Sequence, residues 1–280
     1  MFYVINLDRS ADRMEFMRAQ LHRFGIEAER FPGVDGAAGV PDWLSEEFAG
    51  PHELTNGEIG CYASHLKIAQ MMVGESLPHV VVLEDDVTID ADFERTCREA
   101  IANAPASWDY IHLSSVVKRA VMEVGSLSGG RSLIRYSKLP VNTAAYILSN
   151  RGARKWLTPM PRCRPNDVDI RYAFLSDLNV LGVYPAPAFQ GNDFPSVIGG
   201  THTPHMRDPR SWSPGPFSEL FLERWNARRL GLWNYTLARV ANVANSARRR
   251  VDGRRRVAVL RGRPQSTPVA FPALRSRRAP

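Results

Sequence analysis

The apolar run Phe2 to Leu7 predicts a short strand, and Asp8-Arg9-Ser10 a turn with good helix-capping residues. Met14, Met17, Leu21 and Phe24 then mark one stripe of a helix over Ala11 to Phe24. Strand, loop and helix in that order are the usual opening of an α/β domain. Phe31 to Ala49 is rich in Gly and Pro and reads as loop with short helical pieces. Thr55-Asn56-Gly57-Glu58 has capping-box spacing and introduces a helix through Met72. Val80 to Leu83 is continuously apolar, as expected of a strand buried on both faces. Tyr110 to Leu113, Val141 to Leu148 and Val180 to Tyr184 read as further strands. Ser149-Asn150-Arg151-Gly152 reads as a turn, with a helix starting at Ala153. Residues 192–217 read as loop, and Glu219 to about Ala247 as one helix. No internal repeat is visible.

Composition adds a bound rather than an identity. The chain has 280 residues, 44% hydrophobic and 23% charged, which suits one large domain or a domain with an appendage. No secretory leader and no membrane-spanning run is visible, and Cys61, Cys97 and Cys163 show neither metal spacing nor a disulfide framework. A cytoplasmic location is the expectation, with the cysteines structural and Cys61 packed among small neighbours.

Charge changes the picture more. Arg248 to Pro280 carries eleven Arg against one Asp, a net of +10, whereas the whole chain is +7, so residues 1–247 stand at −3. The body is slightly acidic and the tail strongly basic. The expected organisation is a catalytic domain over 1–217, an amphipathic basic helix over 218–247 and a tail without order over 248–280. Trp225, Leu230, Leu232, Trp233 and Leu237 beside Arg224, Arg228, Arg229 and Arg239 suit an interfacial helix. With the tail, that helix would hold the protein on the inner face of an anionic membrane. A core-packing helix followed by a solvated tail fits equally well. Nucleic acid is disfavoured as a partner, because no recognition motif accompanies the charge.

The candidate chemistry is the acidic triplet Glu84-Asp85-Asp86 after the buried strand. Three neighbouring carboxylates repel unless a cation, donors or solvent compensate. Strand alternation predicts Glu84 and Asp86 on one side and Asp85 on the other. Two carboxylates on one side at a strand's carboxyl end make a site for Mg²⁺ or Mn²⁺, in the place where open α/β sheets bind ligands. A solvated acidic turn is the alternative.

Five segments taken in order are more specific than any one. They are Val4-Ile5-Asn6-Leu7-Asp8-Arg9-Ser10 with Asp12-Arg13; Phe31-Pro32-Gly33-Val34-Asp35-Gly36; Leu54-Thr55-Asn56-Gly57-Glu58-Ile59-Gly60-Cys61; Ser64-His65; and Val82-Leu83-Glu84-Asp85-Asp86-Val87. Together they resemble glycosyltransferase family 25, the lipopolysaccharide-biosynthesis and collagen-galactosyltransferase-like family. A thinner match runs through Thr143 to Ser149, Gly152-Ala153, Pro165-Asn166-Asp167 and Tyr184-Pro185.

The resemblance implies a GT-A-like (Rossmann-like) mixed sheet flanked by helices, here with a helical basic C-terminal appendage. It implies an inverting hexosyltransferase that takes a sugar, commonly galactose, from a nucleotide-diphosphate donor, commonly UDP-linked. The acceptor would be a lipopolysaccharide, oligosaccharide or other glycoconjugate, lipid-linked or not, and Mn²⁺ or Mg²⁺ the cofactor. On this basis Glu84 and Asp86 are metal ligands. Donor contacts fall on Asn6, Leu7, Asp8, Arg9, Arg13, Ser64, His65, Glu84 and Asp85. Helix capping by Asp8 and Ser10, a solvated place for Arg13, and the capping box for Thr55 and Glu58 are the plain alternatives. Asp167 and Asp169 are both candidates for the base that deprotonates the acceptor hydroxyl, with helix capping the alternative for Asp167. His202, in Thr201-His202-Thr203-Pro204-His205, is a weaker metal candidate, and Asp193 and Ser196 carry no assigned role. A catalytically silent sugar-nucleotide-binding module and a membrane-surface adaptor are the competing functions.

Overall fold

A computed structural model describes residues 1–50, 52–114, 117–190, 217–252 and 257–261, with side chains described up to 247 in the last helix. Strand β1 (Phe2–Asn6) leads through a tight turn into α1 (Ala11–Arg23) and then β2 (Glu29–Pro32). Helix α2 (Asn56–Gly74) precedes β3 (His79–Glu84), the short β4 (Val87–Ile89) and α3 (Phe93–Asn103). There follow β5 (Tyr110–His112), β6 (Val121–Ser126), β7 (Ser132–Tyr136), β8 (Ala145–Ser149), α4 (Asn150–Trp156), α5 (Asn166–Arg171), β9 (Val180–Tyr184) and β10 (Ala188–Gln190). Helices α6 (Ser218–Leu230) and α7 (Leu232–Asp252) and strand β11 (Val259–Arg261) complete the described chain.

Nine strands form one mixed sheet in the order β11-β6-β7-β9-β5-β8-β3-β1-β2. Strands β2, β1 and β3 are parallel, whereas β8 is antiparallel to both β3 and β5. The sheet is buried on both faces, and alternation sorts its side chains. Val80, Val82, Tyr110, Tyr146 and Leu148 join Tyr62, Leu66, Met72, Ala153 and Trp156 of α2 and α4 in one core. Val81, Leu83, Ile111, Ala145 and Ile147 join Met14, Met17, Leu21, Phe93 and Cys97 of α1 and α3 in the other. This is the α/β architecture expected from the pattern.

Several boundaries differ from the expectation for identifiable reasons. The Gly/Pro-rich stretch contributes a strand, β2, because its backbone extends the parallel ladder of β1. Strand β8 starts at Ala145, not Val141, because the Asn142 side chain accepts from the Ala144 N–H at 2.8 Å and the Ser114 hydroxyl takes the Ala145 N–H at 3.0 Å. The expected turn at Ser149 is a helix N-terminus, the Ser149 hydroxyl accepting from the Gly152 N–H at 3.0 Å. The expected single helix from 219 is two, broken at Gly231, whose φ of 78° is the left-handed conformation that glycine tolerates. Trp225, Leu222 and Leu230 are buried, so α6 packs as a core helix, while Leu232 and Trp233 stay exposed on α7. Within the tail expected to lack order, Val259–Arg261 pairs in parallel with β6, satisfying an otherwise open sheet edge. The 192–217 loop falls outside the described residues apart from Phe217.

One close approach ties the first motifs together. A Cβ on Gly60 would sit 2.5 Å from the Gly36 N and 2.7 Å from the Val34 carbonyl oxygen. The first turn of α2 therefore lies directly on the Val34-Asp35-Gly36 loop. The capping box is formed as expected, with the Thr55 hydroxyl accepting from the Glu58 N–H at 3.2 Å and Glu58 accepting from the Thr55 N–H at 2.7 Å.

Two predictions follow from buried polar groups. Asp109 is fully buried and takes Arg151 at 2.7 Å, Lys155 at 2.8 Å and the Asn179 N–H at 2.8 Å, pinning α4 and β9 to β5. Asp109→Ala lets the part-exposed Arg151 and Lys155 turn to solvent but leaves the buried Asn179 N–H unpaired, and should cost about 1–3 kcal/mol in chemical denaturation. His112 sits against Tyr110 and Tyr136, finds no hydrogen-bond partner for either ring nitrogen among the described residues, and burial pushes its pKa down to about 3. An unfolded histidine binds its proton near 6.5, so between 6.5 and about 3 the unfolded chain holds the extra proton. Stability should fall as pH drops through that window, and His112→Phe should make the slope shallower. An unchanged slope in denaturation midpoints would count against this role for His112.

Candidate functional site

The site lies where β1 and β3 end side by side. Their parallel register sets Ile5 opposite Glu84, so Asn6 arrives beside Asp85. Along β3 the alternation that sends Val80 and Val82 toward α2 also sends Glu84 there. Its carboxylate lies 3.3 Å from His65 Nε2 and accepts from the Thr143 hydroxyl at 3.2 Å. Asp85 continues the opposite side, with Val81 and Leu83, and meets α1. Its carboxylate takes Arg13 at 2.6 Å and the Asn6 amide at 2.7 Å.

Asp86 departs from the expected alternation. Strand β3 ends at Glu84 and the chain turns into β4, so Asp86 swings back to the α1 side. It shares Arg13 with Asp85, at 3.0 Å, and takes the Gln190 amide at 3.1 Å. The structure therefore groups Asp85 with Asp86 and sets Glu84 across from them. Asp86 still feels Glu84: burial first, and that charge next, push its pKa up, against Arg13 and Gln190. Burial likewise raises Asp85, opposed by Asn6 and Arg13.

The remaining expected residues divide clearly. Asn6 is a buried tether: its amide also donates to the Ser10 carbonyl at 2.8 Å, and its oxygen accepts from Arg30 at 2.9 Å. Leu7 is half-buried in the turn. Asp8 pairs with Arg30 and Arg9 with Asp35, both at the exposed rim. Ser10 occupies the N-cap position of α1 without a side-chain cap, correcting the capping expectation; its carbonyl is used by Asn6 instead. Arg13 is buried on the triplet, not on a solvated face. The Ser64 hydroxyl accepts from Val34 N–H and donates to the Gly60 carbonyl, so it clamps the loop to α2. His65 is 1% exposed, stacked near Trp156, with Nδ1 2.8 Å from the Tyr146 hydroxyl.

The two base candidates have different settings. Asp169 is buried and held by Arg164 at 2.6 Å and the Tyr62 hydroxyl at 2.9 Å. Asp167 is only half-buried, in the first turn of α5, its carboxylate turned to the N–H groups of its own residue and Val168. Burial and the Glu84 charge push it up to about 7. It is the Asp167 carboxyl that shares a field with the triplet. His202, His205, Asp193 and Ser196 lie outside the described residues.

Against this geometry, a family description, glycosyltransferase family 25 (LPS biosynthesis protein), matches residues 1–170. The chain belongs to glycosyltransferase family 25. A family 25 member from Drosophila melanogaster is 32% identical over 171 residues, covering 57% of this chain and 28% of that protein. A mouse relative, described as an inactive glycosyltransferase 25 family member 3, is 35% identical over 184 residues, covering 60% of this chain and 30% of its own length. The chain thus spans under a third of these relatives. Among solved structures, a Drosophila β1,4-galactosyltransferase 7 with manganese, UDP-Gal and xylobiose shows 10% identity and a TM-score of 0.33, covering 65% of this chain and 63% of that one. So loose a superposition carries no functional argument.

Does this family 25 site suit a hard divalent cation? Three carboxylates end β3, of which Asp85 and Asp86 share Arg13 while Glu84 meets His65, and among the described residues Asp86 Oδ1 is buried with no hydrogen-bond partner. A negative cluster with an orphaned carboxylate oxygen fits Mg²⁺ or Mn²⁺. Gln190 and Arg30 escaped the sequence reading, since nothing local marks them, and Thr143 and Tyr146 fell within the thinner match without a role.

Asn6→Ala removes the tether between β1, the Ser10 turn and Asp85. It should cost about 1.5–3 kcal/mol, the range for a hydrogen bond to a charged group, in urea denaturation. A change near zero would mean that solvent replaces the amide.

Proposed function

We propose that this chain is an inverting glycosyltransferase that moves a sugar from a nucleotide-diphosphate donor to a hydroxyl of a glycoconjugate acceptor. The observation that carries the reading is the gathering of Arg13, Glu84, Asp85, Asp86 and Asp167 at the carboxyl end of β3. A UDP-linked galactose is the donor we favour, through family 25 membership, with a lipopolysaccharide or oligosaccharide acceptor.

Asp86, with its free Oδ1, and Glu84 are the residues that would hold Mn²⁺ or Mg²⁺. Such an ion supplies Lewis-acid neutralisation of the departing nucleotide diphosphate. Arg13 and Asn6 fix the Asp85 carboxylate and so hold the turn rigid under that charge. Asp167 receives the acceptor's proton. A carboxyl near 7 is well matched to that task, being part-ionised at neutral pH and basic enough to take a proton. Asp169, spent on Arg164 and Tyr62, positions α5 beneath it.

The acceptor side extends the proposal to a lipid surface on the cytoplasmic side. Exposed Leu220, Phe221, Leu232 and Trp233 lie among exposed Arg224 and Arg228 on α6 and α7. Apolar and basic side chains on one exposed region suit anionic lipid. Among the described residues no helix is long and apolar enough to cross a membrane.

A second reading is a silent module that binds sugar nucleotides without turnover. The inactive description of the mouse relative favours it. Calorimetric titration of UDP-, GDP- and CMP-sugars, with and without Mn²⁺, separates the two when paired with a transfer or donor-hydrolysis assay. Asp86→Ala should abolish metal-dependent donor binding. Asp167→Asn should keep donor binding and lower kcat by roughly 10²–10⁴-fold. Donor binding without turnover in wild type would favour the silent module, and absence of binding would sink both.

A further inference from the structure

Cys61 and His65 are four residues apart on α2, which puts both side chains on one face. That face looks at the end of β3. The Cys61 sulfur, a His65 ring nitrogen and a Glu84 carboxylate oxygen all lie within 4.8 Å of one another. From these three donors we infer a second cation site, for a thiophilic divalent metal of the Zn²⁺ class, beside the triplet.

The donor set decides the chemistry. Thiolate, imidazole and carboxylate together are a zinc-type combination, whereas Mg²⁺ and Mn²⁺ prefer oxygen alone. The second shell is already in place. The Tyr146 hydroxyl lies 2.8 Å from His65 Nδ1 and the ring is held near Trp156, so Nε2 is aimed at Glu84. Metal-binding histidines characteristically use the other ring nitrogen this way. Burial first, then the Glu84, Asp167, Asp86 and Glu58 charges, push the Cys61 thiol well up, and the same negative surroundings favour a cation beside it. Cys61 and Glu84 are part-exposed, so an ion has a route in and solvent a fourth position.

Binding is a simple exchange. The Cys61 thiol loses its proton to solvent, and the metal takes the sulfur lone pair. The His65 proton sits on Nδ1, donated to the Tyr146 oxygen, and Nε2 faces the metal. Because Glu84 belongs to both centres, Zn²⁺ here would compete with the Mn²⁺ or Mg²⁺ of the proposed donor site. A thiophilic metal bound there would oppose loading of the proposed donor site by withdrawing Glu84.

The test is Co²⁺ titration of the full chain, in the absence of any sugar nucleotide, followed by Zn²⁺ displacement. The expected result is one equivalent bound, with a thiolate-to-cobalt charge-transfer band that Zn²⁺ removes. Cys61→Ser should abolish the band, while a Cys97→Ser, Cys163→Ser double variant keeps it. Tyr146→Phe should weaken Co²⁺ about tenfold or more, as loss of a second-shell partner does. Asp86→Ala should leave the band unchanged, although it removes donor binding; this separates the two sites. If Cys61→Ser does not fold, cadmium NMR of the wild-type complex reads the sulfur ligand directly. Absence of a thiolate band in folded wild type, a band that survives Cys61→Ser, or a cadmium shift without sulfur overturns the assignment.

Discussion

Arg13 is a single guanidinium set between two carboxylates, Asp85 and Asp86, in a place with little solvent. One positive charge cannot balance two negative ones there, still less three with Glu84. The fold makes up part of the difference with neutral donors. Asn6 gives Asp85 a short hydrogen bond and Gln190 gives Asp86 another. These are far weaker than a full counter-charge, and the pKa of each carboxyl rises on burial despite them. The cluster is therefore built with a residual appetite for positive charge. Removing Arg13 would leave Asp85 and Asp86 without their shared counter-charge, so this pairing ties α1 to the end of β3.

The same strand end divides the site between two layers. Val82 and Glu84 face α2, and Leu83 and Asp85 face α1. Glu84 thus inherits His65, Tyr146 and Trp156 as its surroundings, while Asp85 inherits Arg13. Only a turn can bring a third carboxylate back across, and the chain supplies it at Asp86. The consequence is two neighbouring donor clusters that meet at the end of β3. One is oxygen-rich, with Asp86 Oδ1 buried and unpartnered among the described residues; the other mixes sulfur, nitrogen and oxygen at Cys61, His65 and Glu84. Their proximity couples them through Glu84, whose charge also reaches Asp167.

How much of this was legible depended on whether the signal was local. The first strand, α1, the capping box of α2 and the buried run of β3 announce themselves by period or by cap, and all are found. The β6–β7 hairpin, α3 and α5 drew no assignment. Their strands are short with mixed burial, and α5 is only a turn and a half, too brief for a period to show. The triplet itself was readable as chemistry, but its geometry was not. Alternation is valid only inside a strand, and nothing in Glu84-Asp85-Asp86 says that the ladder stops after the first residue. Cys61 was read as packing because a lone cysteine among small neighbours usually is. Its four-residue spacing to His65 was visible, but Glu84, the third donor, is brought in by the sheet.

Asp167 and Asp169 make the limit sharpest. They lie two residues apart on one short helix, with the same chemistry, two and four positions after Pro165. Around the helix, a step of two residues is more than half a turn, so the pair must point into different neighbourhoods. Asp169 points at Arg164 and Tyr62, which consume both of its oxygens. Asp167 points toward the carboxylate edge of the sheet, where like charge and burial hold its proton near neutrality. Arg164 was available in the sequence as a partner for either. What assigns it to Asp169 is the packing of Tyr62 from α2, a residue more than a hundred positions away, whose hydroxyl and the Arg164 fork converge on one carboxylate. That convergence is why the proposed proton acceptor is Asp167, the member of the pair it leaves out.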